Sequence, residues 1–277
     1  MNIGKFKISF FESGFFALDG GAMFGIIPQN LWRRTNPPDQ QNRIKLATRH
    51  LLLDSGSRKI LVDTGMGDKW DEKSRGIYDL SSDESIKNGL EAAGYLISDI
   101  TDVFLTHLHF DHTGGSTKIE NGKLVPVFQN AKYHVGRKNF EWALNPSDRD
   151  KGSYIKENFF PLYEAGVLNF IDEDVTEFDD GIEIVNLNGH TFNQNAVKIY
   201  DSSNTLFYCG DLIPTSGHIP VPYVMGYDLQ PLETVKEKKI ILSQAVEQDW
   251  MLFFEHDPSI PLVKVQHSSK GYSIKHD

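Results

Sequence analysis

The sequence predicts a mixed α/β (α+β) fold, arranged as a four-layer αββα sandwich. Strand-like and helix-like segments come in two groups, and in each group short strands are followed by helices. Hydrophobic residues make up 39% and aromatic residues 12% of the 277-residue chain, enough to bury a large core. Because no internal repeat or low-complexity segment divides this pattern, we expect one domain over residues 1–277.

The first group of elements begins with an alternating segment, residues 5–11, that predicts a strand. Two further strands, 44–53 and 59–62, flank the turn sequence DSGSR and are typical of a hairpin. A helix is predicted to begin in the N-cap run SSDES, residues 81–85. The apolar segment 103–106 then predicts a short buried strand that leads directly into a histidine-rich sequence.

Two helices follow the first group of strands, and the second group of strands comes after them and ends in a pair of short strands around a turn. Helical patterns occupy residues 135–144 and 154–166, and Pro231 fits the first position of a long helix. The apolar face of that helix is predicted to consist of Leu232, Val235, Leu242, Ala245 and Val246. The predicted strands cover residues 182–187, 196–200, 205–209, 251–257 and two segments of 262–274.

The charge of the chain argues against two classes of partner. The formal net charge is −10, which repels the phosphate backbone of nucleic acids and the anionic surface of membranes. Lys236, Lys238 and Lys239 form the densest basic cluster, but Glu237 interrupts it. We therefore interpret the cluster as a solvated helix face and expect neither nucleic acid nor membrane as a partner.

The single cysteine and the absence of long apolar runs bear on the compartment. Cys209 has no second cysteine to pair with, so an internal disulfide is excluded, and we interpret it as a buried packing residue. The N-terminal sequence has no apolar run typical of a signal peptide, and no segment has the length of a membrane span. These observations predict a cytoplasmic protein.

The sequence THLHFDHTGG, residues 106–115, indicates a metal site. His107 and His109 are two positions apart at the end of an extended segment, so both side chains point the same way and suit one ion. Asp111 and His112 follow at a glycine-rich turn and can face a second ion. Two ions about 3.5–4 Å apart can activate water for attack at neutral pH without a serine or cysteine nucleophile.

This sequence resembles the H-x-H-x-D-H signature of the metallo-β-lactamase superfamily. Four further segments resemble the other motifs of that superfamily, in the same order: LVDTGMGD (61–68), NGHTFNQN (188–195), YCGDL (208–212) and FFEHD (253–257). The third motif departs from the pattern of many relatives, which have a second glycine where this chain has Asn193. The resemblance extends through the whole chain and implies a binuclear metal-dependent hydrolase.

The resemblance also implies a full set of ligands for two divalent ions. The first ion would be held by His107, His109 and His190, the second by Asp111, His112 and His256, with Asp211 and a hydroxide as bridges. Asp63 and Thr191 would not bind the ions but would support the residues that do, with Asp63 orienting the metal loops through hydrogen bonds. Nitrogen and oxygen ligands favour zinc, and iron, manganese and cobalt remain alternatives.

Two segments are similar to a branch that contains quorum-quenching lactonases and methyl parathion hydrolases: DGGAMFGIIPQNLW (19–32) and GDLIPTSGHIPVPYVMGYD (210–228). This similarity implies a small-molecule substrate with a lactone or ester bond, as in N-acyl homoserine lactonases. Phosphotriester or thioester hydrolysis is the alternative, and a di-iron redox protein or a non-catalytic binding module ranks below both. Met23 and Phe24 would supply an apolar wall for the substrate or, alternatively, pack in the core.

The implied mechanism is attack on the substrate carbonyl by the bridging hydroxide, with Asp211 bridging the ions and Asp111 shuttling a proton. Several lactonases have a tyrosine three residues after the bridging aspartate, where this chain has Pro214. His218 or Tyr223, or else Tyr227, would then donate the proton, unless these residues are structural. The apolar N-terminal loop also fits a contact with a second copy of the chain, in a homodimer.

Overall fold

The computed structural model describes residues 1–80 and 85–276, and the chain folds into two compact units. Unit 1 comprises Met1–Phe16 and Thr48–Val175, and unit 2 comprises Ala17–Ala47 and Thr176–Asp277. Both units combine sheets with helices, which confirms the predicted α/β class. One domain over residues 1–277 stays a prediction.

Sixteen strands are assigned in the described residues. They are β1 Asn2–Ile3, β2 Phe6–Asp19, β3 Arg43–Asp54, β4 Lys59–Val62, β5 Asp102–Phe104, β6 Thr117–Glu120, β7 Lys123–Pro126, β8 Lys132–Gly136, β9 Leu168–Ile171, β10 Glu177–Asp179, β11 Ile182–Leu187, β12 Gln194–Tyr200, β13 Thr205–Tyr208, β14 Met251–Phe253, β15 Leu262–Ser268 and β16 Gly271–Ile274. One seven-stranded sheet has the order β1-β2-β3-β4-β5-β8-β9, and the other runs from β10 to β16 in chain order. β6 and β7 form a separate two-stranded sheet.

The α-helices of the described residues are mostly short, and five 3₁₀ turns accompany them. The α-helices are α1 Gly20–Phe24, α2 Gln29–Trp32, α3 Glu72–Tyr78, α4 Ile86–Ala92, α5 Phe110–Thr113, α6 Arg137–Leu144, α7 Lys156–Glu164 and α8 Pro231–Glu247. Within these residues no helix combines the length and the apolar character that crossing a membrane requires.

Parallel pairing in the centre of the first sheet places the site loops. β4 pairs in parallel with β5, and β5 in parallel with β8, so the carboxyl ends of β4 and β5 lie side by side. The loops that follow, beginning at Asp63 and Leu105, therefore emerge at the same edge of the sheet. A core that includes Leu52, Leu61 and Val103, all fully buried, fixes these strands beneath the loops.

Several predicted elements are confirmed and others have different bounds. The antiparallel hairpin is confirmed, because Leu51 pairs with Val62 and Asp54 with Lys59. The strand predicted at 5–11 extends to Asp19 in β2. The helix predicted at 135–144 begins at Arg137, because the two preceding residues complete β8.

The helix predicted to begin in SSDES is α4, which starts after Ser85. The hydroxyl of Ser85 accepts a hydrogen bond from Asn88 N at 3.2 Å, the arrangement of an N-cap. The remainder of the run, residues 81–84, lies outside the described residues.

Helix α8 begins with Pro231 at its first turn, as predicted, and buries Leu242 and Ala245 of the predicted apolar face. Leu232 is 85% exposed, so its place in the predicted apolar face is wrong.

The interpretation of the lysine cluster as a solvated face holds for Lys236 and Lys239, which are exposed, but is wrong for Lys238, which is buried together with Glu237. A buried charge is stable only when it is paired or hydrogen-bonded, and both side chains bond backbone groups of neighbouring loops.

Candidate metal centre

Unit 1 carries four of the predicted ligands between β5 and α5. This first ligand group consists of His107, His109, Asp111 and His112, all of them buried. Nε2 of His107 lies 3.1 Å from Nδ1 of His109, and the rings of His107 and His112 are 3.9 Å apart between centroids. Three imidazoles therefore converge on one small volume with a carboxylate beside them.

Asp63 organises this group from the end of β4. Its Oδ1 accepts a hydrogen bond from Thr106 N at 2.8 Å, and its Oδ2 accepts one from the Thr106 hydroxyl at 2.7 Å. Nδ1 of His112 lies 3.1 Å from the same Oδ2. Since an ionised carboxylate only accepts, His112 donates from Nδ1 and keeps the lone pair of Nε2 for a metal.

Glycines allow the two site loops of unit 1 to touch through their backbones. A Cβ at Gly114 would overlap the carbonyl of Met66, and a Cβ at Gly67 would overlap the carbonyl of Gly114. Thr64 N also donates to His112 O at 2.7 Å. The loop after β4 is thus fixed directly to the turn that carries Asp111 and His112.

Unit 2 carries the other three predicted ligands. This second ligand group consists of His190, Asp211 and His256, again all buried. The carboxylate of Asp211 lies between the two imidazoles, with Oδ2 at 3.1 Å from Nε2 of His190 and Oδ1 at 3.2 Å from Nε2 of His256. Gly210 has φ +48, a conformation that favours glycine, and this bend directs Asp211 inward.

The outer nitrogens of both histidines in the second group are occupied. Nδ1 of His190 lies 2.9 Å from Oδ1 of Asp228, and Nδ1 of His256 lies 2.8 Å from Ala47 O. A carbonyl only accepts, so His256 donates from Nδ1 and presents the lone pair of Nε2 to the Asp211 carboxylate. Two acceptors facing each other in a buried place repel, and a cation between them removes the repulsion. The donor set therefore fits a divalent metal ion.

The two buried charges of α8 support the loops of the second ligand group. Oε1 of Glu237 accepts from Asn188 N at 2.6 Å, and Oε2 accepts from Gly189 N at 3.1 Å, directly before His190. Nζ of Lys238 donates to the carbonyls of three residues in the segment after Asp211, namely His218, Pro220 and Tyr223. Burial lowers the pKa of Lys238 to about 7.

Met23 and Phe24, the predicted substrate wall, are buried in unit 2. The ring of Phe24 stacks on the rings of Trp32 and His218, with distances of 5.4 Å and 4.2 Å between ring centroids. This packing favours the structural alternative for Phe24. A substrate-binding role for Met23 and Phe24 stays a prediction.

His218, a predicted proton donor, uses both ring nitrogens within unit 2. Nε2 lies 2.9 Å from Met23 O, so it carries the hydrogen, and Nδ1 accepts from the Thr215 hydroxyl at 2.8 Å. Burial lowers the pKa of His218 to about 3, so the ring is neutral at pH 7. The ring of Tyr223 is perpendicular to that of Phe24, with 6.2 Å between the ring centroids. A donor role for either residue stays a prediction.

The structure also shows the burial or backbone conformation of three other residues discussed from the sequence, Thr191, Asn193 and Cys209. Thr191 is buried in the turn between β11 and β12. Asn193 has φ +54, so it takes the left-handed conformation that glycine and asparagine tolerate best. Cys209 is buried, which confirms its interpretation as a packing residue, and burial raises the pKa of its thiol.

The sequence interpretation missed several residues around the ligands. Asp228 lies within a quoted segment, but nothing in its spacing indicates that it bonds His190. In unit 1, Trp70, Tyr78 and Phe110 form an aromatic cluster with centroid distances of 5.1–5.5 Å beside the first ligand group. Tyr154 adds a further ring, 4.8 Å from that of His109. The aromatic content pointed to a pocket but not to these positions.

The arrangement agrees with what comparison to known proteins finds. The sequence profile of the metallo-β-lactamase superfamily matches residues 50–256. An N-acyl homoserine lactonase of Rhizobium radiobacter is 26% identical over 218 residues, which cover 76% of this chain and 78% of that protein.

Solved structures have the same fold. A probable metal-dependent hydrolase from Staphylococcus aureus has a TM-score of 0.87 at 26% identity, covering 100% of this chain and 99% of that one. A dizinc quorum-quenching lactonase has a TM-score of 0.82 at 20% identity, covering 100% and 96%, a likeness of fold alone. The predicted metallo-β-lactamase fold is thus confirmed. With its motifs and buried histidine–carboxylate groups, this chain belongs to the metallo-β-lactamase superfamily, as a metal-dependent hydrolase.

Proposed function

We propose that this protein is a binuclear metal-dependent hydrolase that opens a lactone or cleaves an ester, in the manner of an N-acyl homoserine lactonase. The observation that carries the proposal is that three of the ligand histidines each have a buried hydrogen-bond acceptor at Nδ1, which leaves Nε2 for a metal ion. Asp63, Asp228 and Ala47 O fix the outer nitrogens of His112, His190 and His256. Histidines held in this way are typical of metal sites and not of a solvated cluster.

The seven predicted ligands would hold two divalent ions, for which we propose zinc because all donors are imidazole nitrogen or carboxylate oxygen. Bound ions supply two things, polarisation of the substrate carbonyl and a water whose pKa is lowered towards 7. The chain itself supplies charge and shape. Asp211 contributes a carboxylate between two imidazoles, and Asp111, at the start of α5, is positioned to receive or return a proton.

The aromatic cluster of unit 1 gives the substrate an apolar surface. Phe110 lies between His109 and Asp111 in sequence, and the rings of Trp70 and Tyr78 contact it. We propose that this cluster, which the sequence interpretation did not include, packs against the acyl or aryl part of the substrate. A small uncharged or weakly charged substrate also suits a chain with net charge −10.

We propose a cytoplasmic location, which the single cysteine of the chain supports.

The test is hydrolysis of a substrate panel by metal-loaded protein. The panel contains acyl homoserine lactones, aryl esters, a phosphotriester and a glutathione thioester. We expect lactone or ester turnover to exceed the others and to fall by about 10³-fold or more in His109→Ala. His276→Ala is the matched control, because His276 is an exposed histidine near the C-terminus.

The panel separates the alternatives. Preference for the phosphotriester or the thioester would assign that activity to the same ligands and reject the lactonase proposal. Loss of activity in His276→Ala as large as that in His109→Ala would show that the assay reports something other than the ligands.

A further inference from the structure

A chain of hydrogen bonds in unit 1 runs from the half-buried Ser13 in β2 to a predicted, buried metal ligand. Its first members are Ser13 and His50, whose Oγ and Nε2 are 2.7 Å apart. Nδ1 of His50 lies 3.0 Å from Asp63 O, and the carboxylate of Asp63 reaches Nδ1 of His112 at 3.1 Å. His50, Asp63 and His112 are all fully buried.

The geometry fixes the direction of each bond in this chain. Asp63 O only accepts, so His50 carries its hydrogen on Nδ1 and accepts at Nε2 from the Ser13 hydroxyl. Thr48 Oγ1 is 3.0 Å from Ser13 Oγ and completes the polar surroundings. Burial lowers the pKa of His50 to about 4, so this neutral tautomer persists at pH 7.

Asp63 needs such a partner because its backbone is unusual. It has φ +55, a left-handed conformation that is uncommon for a residue other than glycine and is strained. Asp63 N donates to Phe104 O at 2.9 Å, and His50 holds the carbonyl on the other side of the residue. The direction of the Asp63 carboxylate, and with it the ring of His112, depends on this conformation.

We infer that His50 is a positioning residue for the metal ligand His112, acting through the backbone of Asp63, and that it sets the affinity of the ion that His112 binds. The inference rests on the proposed function in assuming that two ions bind. The Asp63 carboxylate reaches His112 directly, whereas it reaches His107, a ligand of the other ion, only through the Thr106 hydroxyl, which lies 3.1 Å from Nδ1 of His107. The affinity of that other ion is therefore expected to depend less on His50.

The experiment compares three substitutions at one position by stepwise metal binding. His50→Asn places an amide nitrogen near the position of Nδ1 and can still donate to Asp63 O. His50→Gln resembles the Nε2 side and loses that donor, and His50→Phe keeps a ring without either nitrogen. The two dissociation constants for zinc are measured on metal-free protein by competition with a chelator, without substrate.

We expect one of the two dissociation constants, that of the ion held by His112, to rise about tenfold or more in His50→Phe and His50→Gln, and the other to rise less. His50→Asn is expected to stay within about threefold of wild type for both ions. A purely structural role would lower the unfolding temperature of the metal-free protein in all three variants without separating the two constants. The inference would be overturned by unchanged dissociation constants in His50→Phe and His50→Gln, or by an equal rise of both constants. It would also be overturned if His50→Asn bound zinc as weakly as His50→Phe.

Failure of the proposed function gives a different result. If wild-type protein does not bind two ions, the function proposal fails before any variant is considered. If the wild type binds two ions and the variants do not differ as described, only the role of His50 is rejected. His50→Gln keeps the test valid should His50→Phe not fold.

Discussion

Individual side chains around the ligands act by fixing protons and lone pairs. His218 illustrates this, because a donor for catalysis needs a hydrogen that can reach the substrate. Its Nε2 hydrogen is directed at Met23 O, and its ring is stacked against Phe24. The contacts therefore favour a role in fixing the segment after Asp211 to the segment that contains α1.

This reading predicts the behaviour of His218→Gln. Glutamine retains a nitrogen donor for Met23 O, so we expect kcat at pH 7.5 to stay within about threefold of wild type. A fall of about 100-fold with unchanged unfolding free energy would instead support the donor role predicted from the sequence. Steady-state kinetics on the best substrate of the panel, with urea unfolding in parallel, make the distinction.

The same variant tests a dependence of stability on pH. The pKa of His218 is about 3 in the folded protein and about 6.5 when unfolded, so only the unfolded state takes up this proton between those values. The stability that the neutral ring contributes is full above pH 6.5 and is lost as the pH falls towards 3. Between pH 6.5 and 5 we expect a loss of roughly 2 kcal/mol that His218→Gln does not show. Urea unfolding of metal-free wild type and variant would contradict this if both lost the same amount.

At the scale of elements, the metal loops of unit 1 are held by close backbone contact in addition to the hydrogen bonds of side chains such as Asp63 and Thr64. Gly114→Ala would put a methyl group on the carbonyl of Met66, and backbone on both sides leaves no flexible atom to give way. We expect a loss of about 3 kcal/mol or more in unfolding free energy, together with weaker metal binding, measured by urea titration and metal analysis.

The matched control for this prediction is Gly76→Ala in α3. A Cβ at Gly76 meets nothing within 4 Å, and alanine is favoured over glycine inside a helix by roughly 1 kcal/mol. We expect this variant to be as stable as wild type or slightly more stable. If both variants lost stability equally, close packing of the two loops would not explain the effect.

How far the sequence predicts this protein follows from the range over which its signals act. Strand alternation and clustered ligands are local, so the hairpin of β3 and β4 and the site loop after β5 could be predicted. Asp228 lies 38 residues from His190, and one aspartate among many carries no signal of that contact. The burial of Lys238 could not be predicted for a related reason: charge alone predicts solvent exposure, whereas its three carbonyl partners lie 15–20 residues earlier in the chain.

At the scale of the whole molecule, the buried ligands make stability depend on metal. Each ligand group holds a carboxylate next to imidazoles, so removing ions leaves buried acceptors facing one another. An ion present at about 1,000 times its dissociation constant stabilises the fold by about 4 kcal/mol, hence roughly 8 kcal/mol for two.

For a chain of this size each 1 kcal/mol corresponds to about 2–4 °C, which predicts an unfolding temperature lower by roughly 15–30 °C after chelation. Calorimetry of loaded, chelated and reloaded protein, with metal content assayed in each sample, measures the difference. In His107→Ala the unfolding temperatures of the metal-loaded and chelated protein should lie closer together. In His276→Ala the full difference between these two temperatures should remain. Equal unfolding temperatures with and without two bound ions would mean that the ligand groups are stable without metal, which the facing acceptors of Asp211 and His256 argue against.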